Sequence, residues 1–413
     1  MFVGFSIRPV AVHILNVSEV VLKITRWAPL LVVYLLLPSL PVDVLAAKLF
    51  DKSAKKQLTA YLDEICQWIM ATDGAMGKSA KEADSSFAVS GNLARVLVAG
   101  FELTKNNSKY LELALSWCDA FTSEQQRVET SRGNKGGYWW NRAAKGNIDL
   151  GDTSMALTAL ARVYVYAESQ RKQNYLQAME RYARFVMEGC KQDPQDKNRG
   201  DSRGWIILDG KDKGAIGGGY YPDHVSDKPS TVATAAGSAF FAQIYAITKN
   251  KQYREIAVNA VSWILRTRKA IGEIPDVQDG QESDQSPLST VTWCAEGLLA
   301  AFHLLQDPGL NQQMAKEVEP TIRWLIRIQN DRGLWGEGPD QQRSSGAATL
   351  LAWFYLNVTA DEVIPQTLEK FWQVLLNPVH SQSFGVQMQN LPTGLAGLTT
   401  AEMIKPGITF KKI

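Results

Sequence analysis

The chain has 413 residues, ample for a large hydrophobic core, and a formal net charge of +2 with Lys and Arg scattered along it. Nothing in it forms the basic stripe of a nucleic-acid binder, so that class of partner is excluded. Its 12 Trp, 13 Tyr and 14 Phe pack in the core where they lie on helices, while those in loops suit a flat, partly apolar ligand such as a sugar ring.

Residues 1–47 differ from the rest of the chain. Lys23 and Arg26 precede the apolar run from Ala28 to Leu37, and then come Pro38, Pro41 and the small residues Ala46 and Ala47. This order predicts a secretory signal cleaved near Ala46 or Ala47, hence an exported protein, periplasmic or secreted. The alternative is an uncleaved anchor and membrane association, although the run is short for a span. Residues 48–413 are expected to form one domain.

From residue 48 onward, helical periodicity dominates. Helices are expected at about 52–71, 86–104, 109–122, 153–169, 175–190, 231–248, 252–268, 289–306, 313–329, 345–357 and 361–376, with a truncated one near 394–403. Asp152 and Thr153 read as caps of the fourth. Two regularities emerge. Helices after long loops are rich in Ala, Gly, Ser and Thr, whereas those after short links are charged with one apolar face carrying Trp117, Phe185, Trp263, Trp324 or Trp372. The first kind suits an inner ring, the second an outer ring. Repeats of helix pairs predict an all-α architecture, an α/α toroid of about six hairpins, with a superhelical solenoid as the alternative. In a toroid every long loop lies on one face.

The four cysteines, Cys66, Cys118, Cys190 and Cys294, have no metal-ligand spacing and read as buried thiols. No metal or other cofactor is expected.

Gln329-Asn-Asp-Arg-Gly-Leu-Trp335 resembles the Gln-x-x-x-Gly-x-Trp element of squalene and terpene cyclases. Gly-aromatic loops followed by small-residue helices, over about residues 50–377, resemble those of six-hairpin glycosidases and toroidal polysaccharide lyases. The cyclases' Asp-x-Asp-Asp run is missing, since Asp276, Asp279, Glu282 and Asp284 are spaced otherwise. Trp293-Cys294-Ala-Glu-Gly297 resembles one motif of the zinc-dependent lanthionine cyclases, but their Cys-His-Gly is missing and His303 stands alone on a helix, as a core histidine would. The resemblance thus implies a carbohydrate-active enzyme, a glycoside hydrolase or polysaccharide lyase, with oligosaccharide or polysaccharide substrates. Uronate epimerases share the group, and a terpenoid cyclase is a more distant reading.

Glycoside hydrolysis needs two carboxyls, one to protonate the leaving oxygen and one to attack or to activate water. Five places on the long-loop face offer them: Asp84, Asp149 with Asp152, Asp223, Asp276 and Glu337. Asp152 reads as a cap, which leaves Asp149 freer. Asp223 leads, because Gly217-Gly-Gly-Tyr-Tyr-Pro-Asp-His224 sets Tyr220 and Tyr221 as stacking faces and His224 as a proton shuttle. The competing reading is that Pro-Asp is turn chemistry. Glu337 adjoins Trp335, and Asp276 sits in an Ile-Pro-Asp loop. Tyr138, Trp139, Trp140, Tyr220, Tyr221 and Trp335 are expected to line the cleft.

Arg132, Arg142, Arg203, Arg332 and Arg343 lie in the same loops as the inner-helix N-termini, so an acidic glycan is expected. A lyase or epimerase would rely on Tyr or His plus Arg. A non-catalytic glycan-binding or assembly protein would keep the aromatics without two facing carboxyls.

Overall fold

The computed structural model describes residues 50–72, 87–104, 107–123, 125, 148–189, 204–220, 224–376 and 390–410. The expected signal or anchor segment lies outside them. Among the described residues there are twelve α-helices. Six are inner: α2 (Phe87–Leu103), α4 (Leu150–Val163), α6 (Thr231–Thr248), α8 (Pro287–Leu305), α10 (Ser344–Asn357) and α12 (Asn390–Ile404). Six are outer: α1 (Lys52–Thr72), α3 (Ser108–Ser123), α5 (Ser169–Glu188), α7 (Lys251–Thr267), α9 (Pro308–Ile328) and α11 (Val363–Leu375).

Each inner helix packs on the next, and α12 packs back on α2, so the ring closes and the solenoid alternative falls. The expected truncated tail helix is the sixth inner helix.

Burial follows from sequence. In α10 every residue from Ser344 to Leu356 is buried, as in a helix enclosed on all sides. In α11 the buried set is Ile364, Thr367, Leu368, Phe371, Trp372 and Leu375, a single stripe at helical spacing. Inner helices approach closely because small residues face each other. A Cβ placed on Gly346 of α10 would come within 2.6 Å of the Thr292 Cα of α8.

Helix starts are fixed by side-chain caps. α4 begins three residues before the expected position because Asp149, not Asp152, is its cap; the Asp152 amide donates to Asp149 Oδ1 at 2.9 Å. α5 begins at Ser169 rather than near 175, because Glu168 accepts from the amides of Gln170 and Arg171. α9 begins at Pro308, with Asp307 capping Leu310 N at 3.1 Å.

The long loops hold a small sheet that helical periodicity does not foretell. β1 (Ile148–Asp149), β2 (Ile216–Tyr220) and β3 (Val225–Ser230) form an antiparallel sheet in the order β1-β2-β3. Gly219 of β2, at φ +134°, lies where a Cβ would be 2.1 Å from Ile148 O. Only glycine fits there. A second hairpin pairs β4 (Val277–Gln278) with β5 (Gln281–Glu282) through Asp279-Gly280.

After α12 the chain turns back as a hook. Glu402 accepts from the amides of Gly407 (2.6 Å) and Thr409 (2.8 Å) and from the Thr409 hydroxyl. Ile408, Thr409 and Phe410 are buried. Ile408 O accepts from Arg162 Nε at 3.0 Å, near the end of α4, and Gly407 abuts His303 near the end of α8. The hook therefore closes the end of the ring where the inner helices finish. Cys66, Cys118 and Cys294 are buried free thiols, as expected, while Cys190 lies outside the described residues.

Candidate functional site

A cavity of ≈ 100 Å³ lies inside the inner ring. One water needs about 10–15 Å³ on this measure, so there is room for several waters, on the order of one sugar ring. Its walls come from four inner helices and one loop. α2 supplies Asn92, α4 Met155 and α12 Leu395. α8 supplies Ser289, Thr292, Trp293 and Glu296, which recur at helical spacing and so share one face.

Glu296 is an isolated carboxylate in the middle of an apolar helix, and Arg95 of α2 answers it across the ring. Arg95 Nη2 lies 2.7 Å from Glu296 Oε2, with the Arg95 side chain fully buried and that of Glu296 13 % exposed. Arg95 Nη1 also donates to Asn92 Oδ1 at 3.4 Å. The ring of Phe410 lies 4.8 Å from the guanidinium carbon. A second ion pair, Arg162 with Glu102 at 2.8 Å, stands nearer the helix C-termini; its angle is outside hydrogen-bond geometry.

Arg343 also lines the cavity. It ends the short 3-10 turn Gly338–Arg343 and immediately precedes α10. Partial burial lowers its pKa, while Asp340 and Asp276 oppose that shift. Among the described residues no carboxylate comes within ion-pair distance of this guanidinium. Asp276 is 3 % exposed. Its Oδ2 accepts from Gln278 Nε2 (2.8 Å) and Ser283 Oγ (2.5 Å), while its Oδ1 is buried without a partner.

Trp293 is half-buried and packs on Met155 and Ala236, which fixes its indole in the wall. An anchored indole, hydroxyls on Ser289 and Thr292, an amide on Asn92, a carboxylate and a free guanidinium make a set that can stack a ring, bond hydroxyls and pair an anion.

No family model matches this chain, and no curated protein matches it. Solved structures do. A polysaccharide lyase superposes with a TM-score of 0.56 at 12 % identity, covering 84 % of this chain and 97 % of the other. A family 88 glycosyl hydrolase from Bacteroides vulgatus gives 0.56 at 14 %, covering 84 % and 99 %. The α-1,6-mannanase of Salegentibacter sp. HEL1_6, in an inactive form complexed with α-1,6-mannotriose, gives 0.53 at 14 %, covering 84 % and 98 %. The chain has the α/α-toroid fold. That fold is shared by glycoside hydrolases, polysaccharide lyases and sugar epimerases.

The toroid brings only part of the expected set together. Arg343 lines the central cavity, and Asp276 is buried near enough to influence its charge. Trp335 is a correction. It is wholly buried, its Nε1 donates to Leu325 O at 2.8 Å, and its ring packs on Phe371 at 5.7 Å, so it is a core residue with no face for a ligand. Asp149 is a helix cap rather than the freer carboxylate of its pair. Glu337 and Arg332 are exposed, and Glu337 does not line the cavity. His224 is half-exposed, with Nε2 3.9 Å from Asp279 Oδ2, and is likewise not a lining residue. Tyr220 ends β2, where its backbone pairs with Ile148 and Val225. Tyr138, Trp139, Trp140, Tyr221 and Asp223 lie outside the described residues, as do Asp84, Arg132, Arg142 and Arg203.

Sequence reasoning that seeks acids only in loops misses Glu296, and with it Arg95, Trp293 and Asn92. The signal is present in the sequence. Glu296 is the sole carboxylate of α8, and a lone charge in a helix apolar all round needs a buried counter-charge.

Proposed function

We propose that the toroid is an exported, carbohydrate-active enzyme, a glycoside hydrolase or polysaccharide lyase that takes a carboxylate-bearing glycan into the central cavity. The observation that carries this reading is Arg343, a partly buried guanidinium at the cavity with no carboxylate partner among the described residues. A uronate carboxylate would supply the missing anion through paired N–H···O bonds, while its ring rests on Trp293. Glu296 is the carboxyl inside the cavity, and Asp276 or Asp223 would be the second group that hydrolysis needs. In a lyase, Arg343 would neutralise the substrate carboxylate, and a tyrosine or His224 would take the proton beside it.

The test is incubation of the protein and an Arg343→Gln variant with uronate-containing and neutral oligosaccharides. New reducing ends and the absorbance of unsaturated uronides are followed together. Uronate substrates are expected to be turned over, and Arg343→Gln to weaken this by about 10–100-fold, the worth of a charged hydrogen bond. Turnover of neutral glycans alone, or an unaffected variant, rejects the reading.

A binding role is favoured by one observation, that the Glu296 carboxylate is already engaged by Arg95. Uronate binding without any turnover would establish that alternative.

A further inference from the structure

The C-terminal hook reaches the central site through contacts that glycan recognition does not itself require. Three donors from Gly407 and Thr409 converge on Glu402 and fold the hook against the end of α12. This sets Phe410, 2 % exposed, against the Arg95 guanidinium at 4.8 Å. Arg95 in turn holds Glu296 at 2.7 Å. The guanidinium also bonds Asn92 and feels the Glu402 carboxylate electrostatically, while its Nε has no hydrogen-bond partner among the described residues. Phe410 is the ring that the hook sets against this guanidinium, and a cation attracted to a ring face is held over that face.

We propose that the hook is a positioning element of the site: Phe410, acting through Arg95, holds the Glu296 carboxylate at the cavity. Its importance to function rests on the cavity being the glycan site, while the positioning itself does not. Phe410 and Arg95 are positioning residues. Without the aromatic face the long arginine side chain gains room, and Glu296 opens toward the cavity it lines.

Carboxylate labelling of the full chain with a carbodiimide and glycinamide, read by peptide mass spectrometry, tests this without any substrate. The variants are Phe410→Leu, which removes the ring, and Phe410→Tyr, which keeps it; exposed Glu337 is the internal control. Thermal melts establish that each variant is folded. Labelling of Glu296 is expected to rise about fivefold in Phe410→Leu and to stay at the wild-type level in Phe410→Tyr, with Glu337 unchanged in both. Equal labelling of Glu296 in Phe410→Leu and wild type overturns the proposal. So does an equal rise in both variants, which would mean that the hook merely fills space.

Should Phe410→Leu fail to fold, Thr409→Val carries the same expectation. It removes the hydroxyl that Glu402 accepts and leaves the ring in the chain. If wild-type protein acts on no glycan and binds none while Glu296 labelling responds, the proposed function fails and the positioning role stands. If uronates are turned over while labelling does not respond, the positioning role fails and the proposed function stands.

Discussion

The Arg95–Glu296 pair is the sharpest place to perturb the ring, because both its partners and its surroundings are defined. Arg95→Leu leaves Glu296 facing a fully buried position where a cation had been. Removing one partner of a buried pair costs about 3–5 kcal/mol. The 13 % exposure of Glu296 lets cavity water reach the stranded carboxylate and moves the cost to the lower end, about 3 kcal/mol. Loss of the contact with Phe410 adds about 1 kcal/mol.

Unfolding entropy of about 2.1 cal/mol/K per residue makes about 0.8 kcal/mol/K for a domain of this size, so Tm should fall by about 5 °C. Glu296→Leu strands Arg95 instead and should cost a similar amount. The double variant, apolar on both sides, should lie close to wild type, so the coupling should approach the sum of the two single costs, roughly 7 kcal/mol. Urea is the denaturant of choice, since guanidinium chloride would screen the charges. If the two single effects add to the double within about 0.5 kcal/mol, the pair is not coupled and the cavity is not held as described.

Two groups that the ring buries carry further predictions. His303 is buried, its Nε2 has no hydrogen-bond partner among the described residues, and desolvation lowers its pKa from 6.5 to about 4. The unfolded chain therefore binds this proton more tightly, so the histidine's contribution to stability is complete above about pH 6.5 and lost as pH falls toward 4. That amounts to about 3 kcal/mol, and Tm measured at pH 7 and pH 4.5 should fall less in His303→Leu than in wild type; equal slopes would place the acid sensitivity elsewhere. Trp335→Phe removes the bond to Leu325 O and part of a buried indole, at an expected cost of about 2 kcal/mol. Calorimetric titration with glucuronate should give the same affinity in both proteins, whereas a ligand platform at Trp335 would make the variant weaker.

The fold was legible because the physics that sorts the helices acts on whole segments. A helix buried on every side carries a charge only where a partner answers it, and α10 from Ser344 to Leu356, with no charge at all, shows this as plainly in its letters as in its burial. The small sheet was not legible, because β2 owes its strand to a backbone approach at Gly219 rather than to alternating side chains. The site was half legible. Arg343 stood out as a loop cation next to a helix start, whereas Glu296 and Arg95 are some two hundred residues apart in sequence and meet only because the ring closes. The cap falls to Asp149 rather than Asp152 because either can cap a helix, and the choice depends on β1 holding Asp149 in extended backbone. The Gln329-to-Trp335 stretch misled in another way. Gln329 Nε2 donates to Gly333 O (3.0 Å) and Thr367 O (2.9 Å), and Trp335 N donates to Ser344 Oγ (3.0 Å), so the element clasps α9, α11 and α10. A clasp of this kind serves any toroid whatever its chemistry, which is why a likeness in that stretch carries no substrate.

Charge compensation along the ring axis separates structure from chemistry more sharply than the motif does. Toward the inner-helix C-termini the buried arginines Arg95 and Arg162 are matched. Arg162 stands against Glu102 and the hook carbonyl of Ile408, and Arg95 stands against Glu296 with Phe410 behind it. A buried guanidinium without an anion would be costly there, and the protein supplies the anion itself. Toward the N-termini the matching stops. Among the described residues, Arg343 has no carboxylate at ion-pair distance, and one oxygen of buried Asp276 has no donor. Helix N-termini on that side add partial positive charge rather than removing it. Among the described residues the buried arginines are thus paired at one end of the ring, while Arg343 is left without an anion at the other. An anionic ligand in the cavity, such as a uronate glycan, would supply the anion that Arg343 lacks.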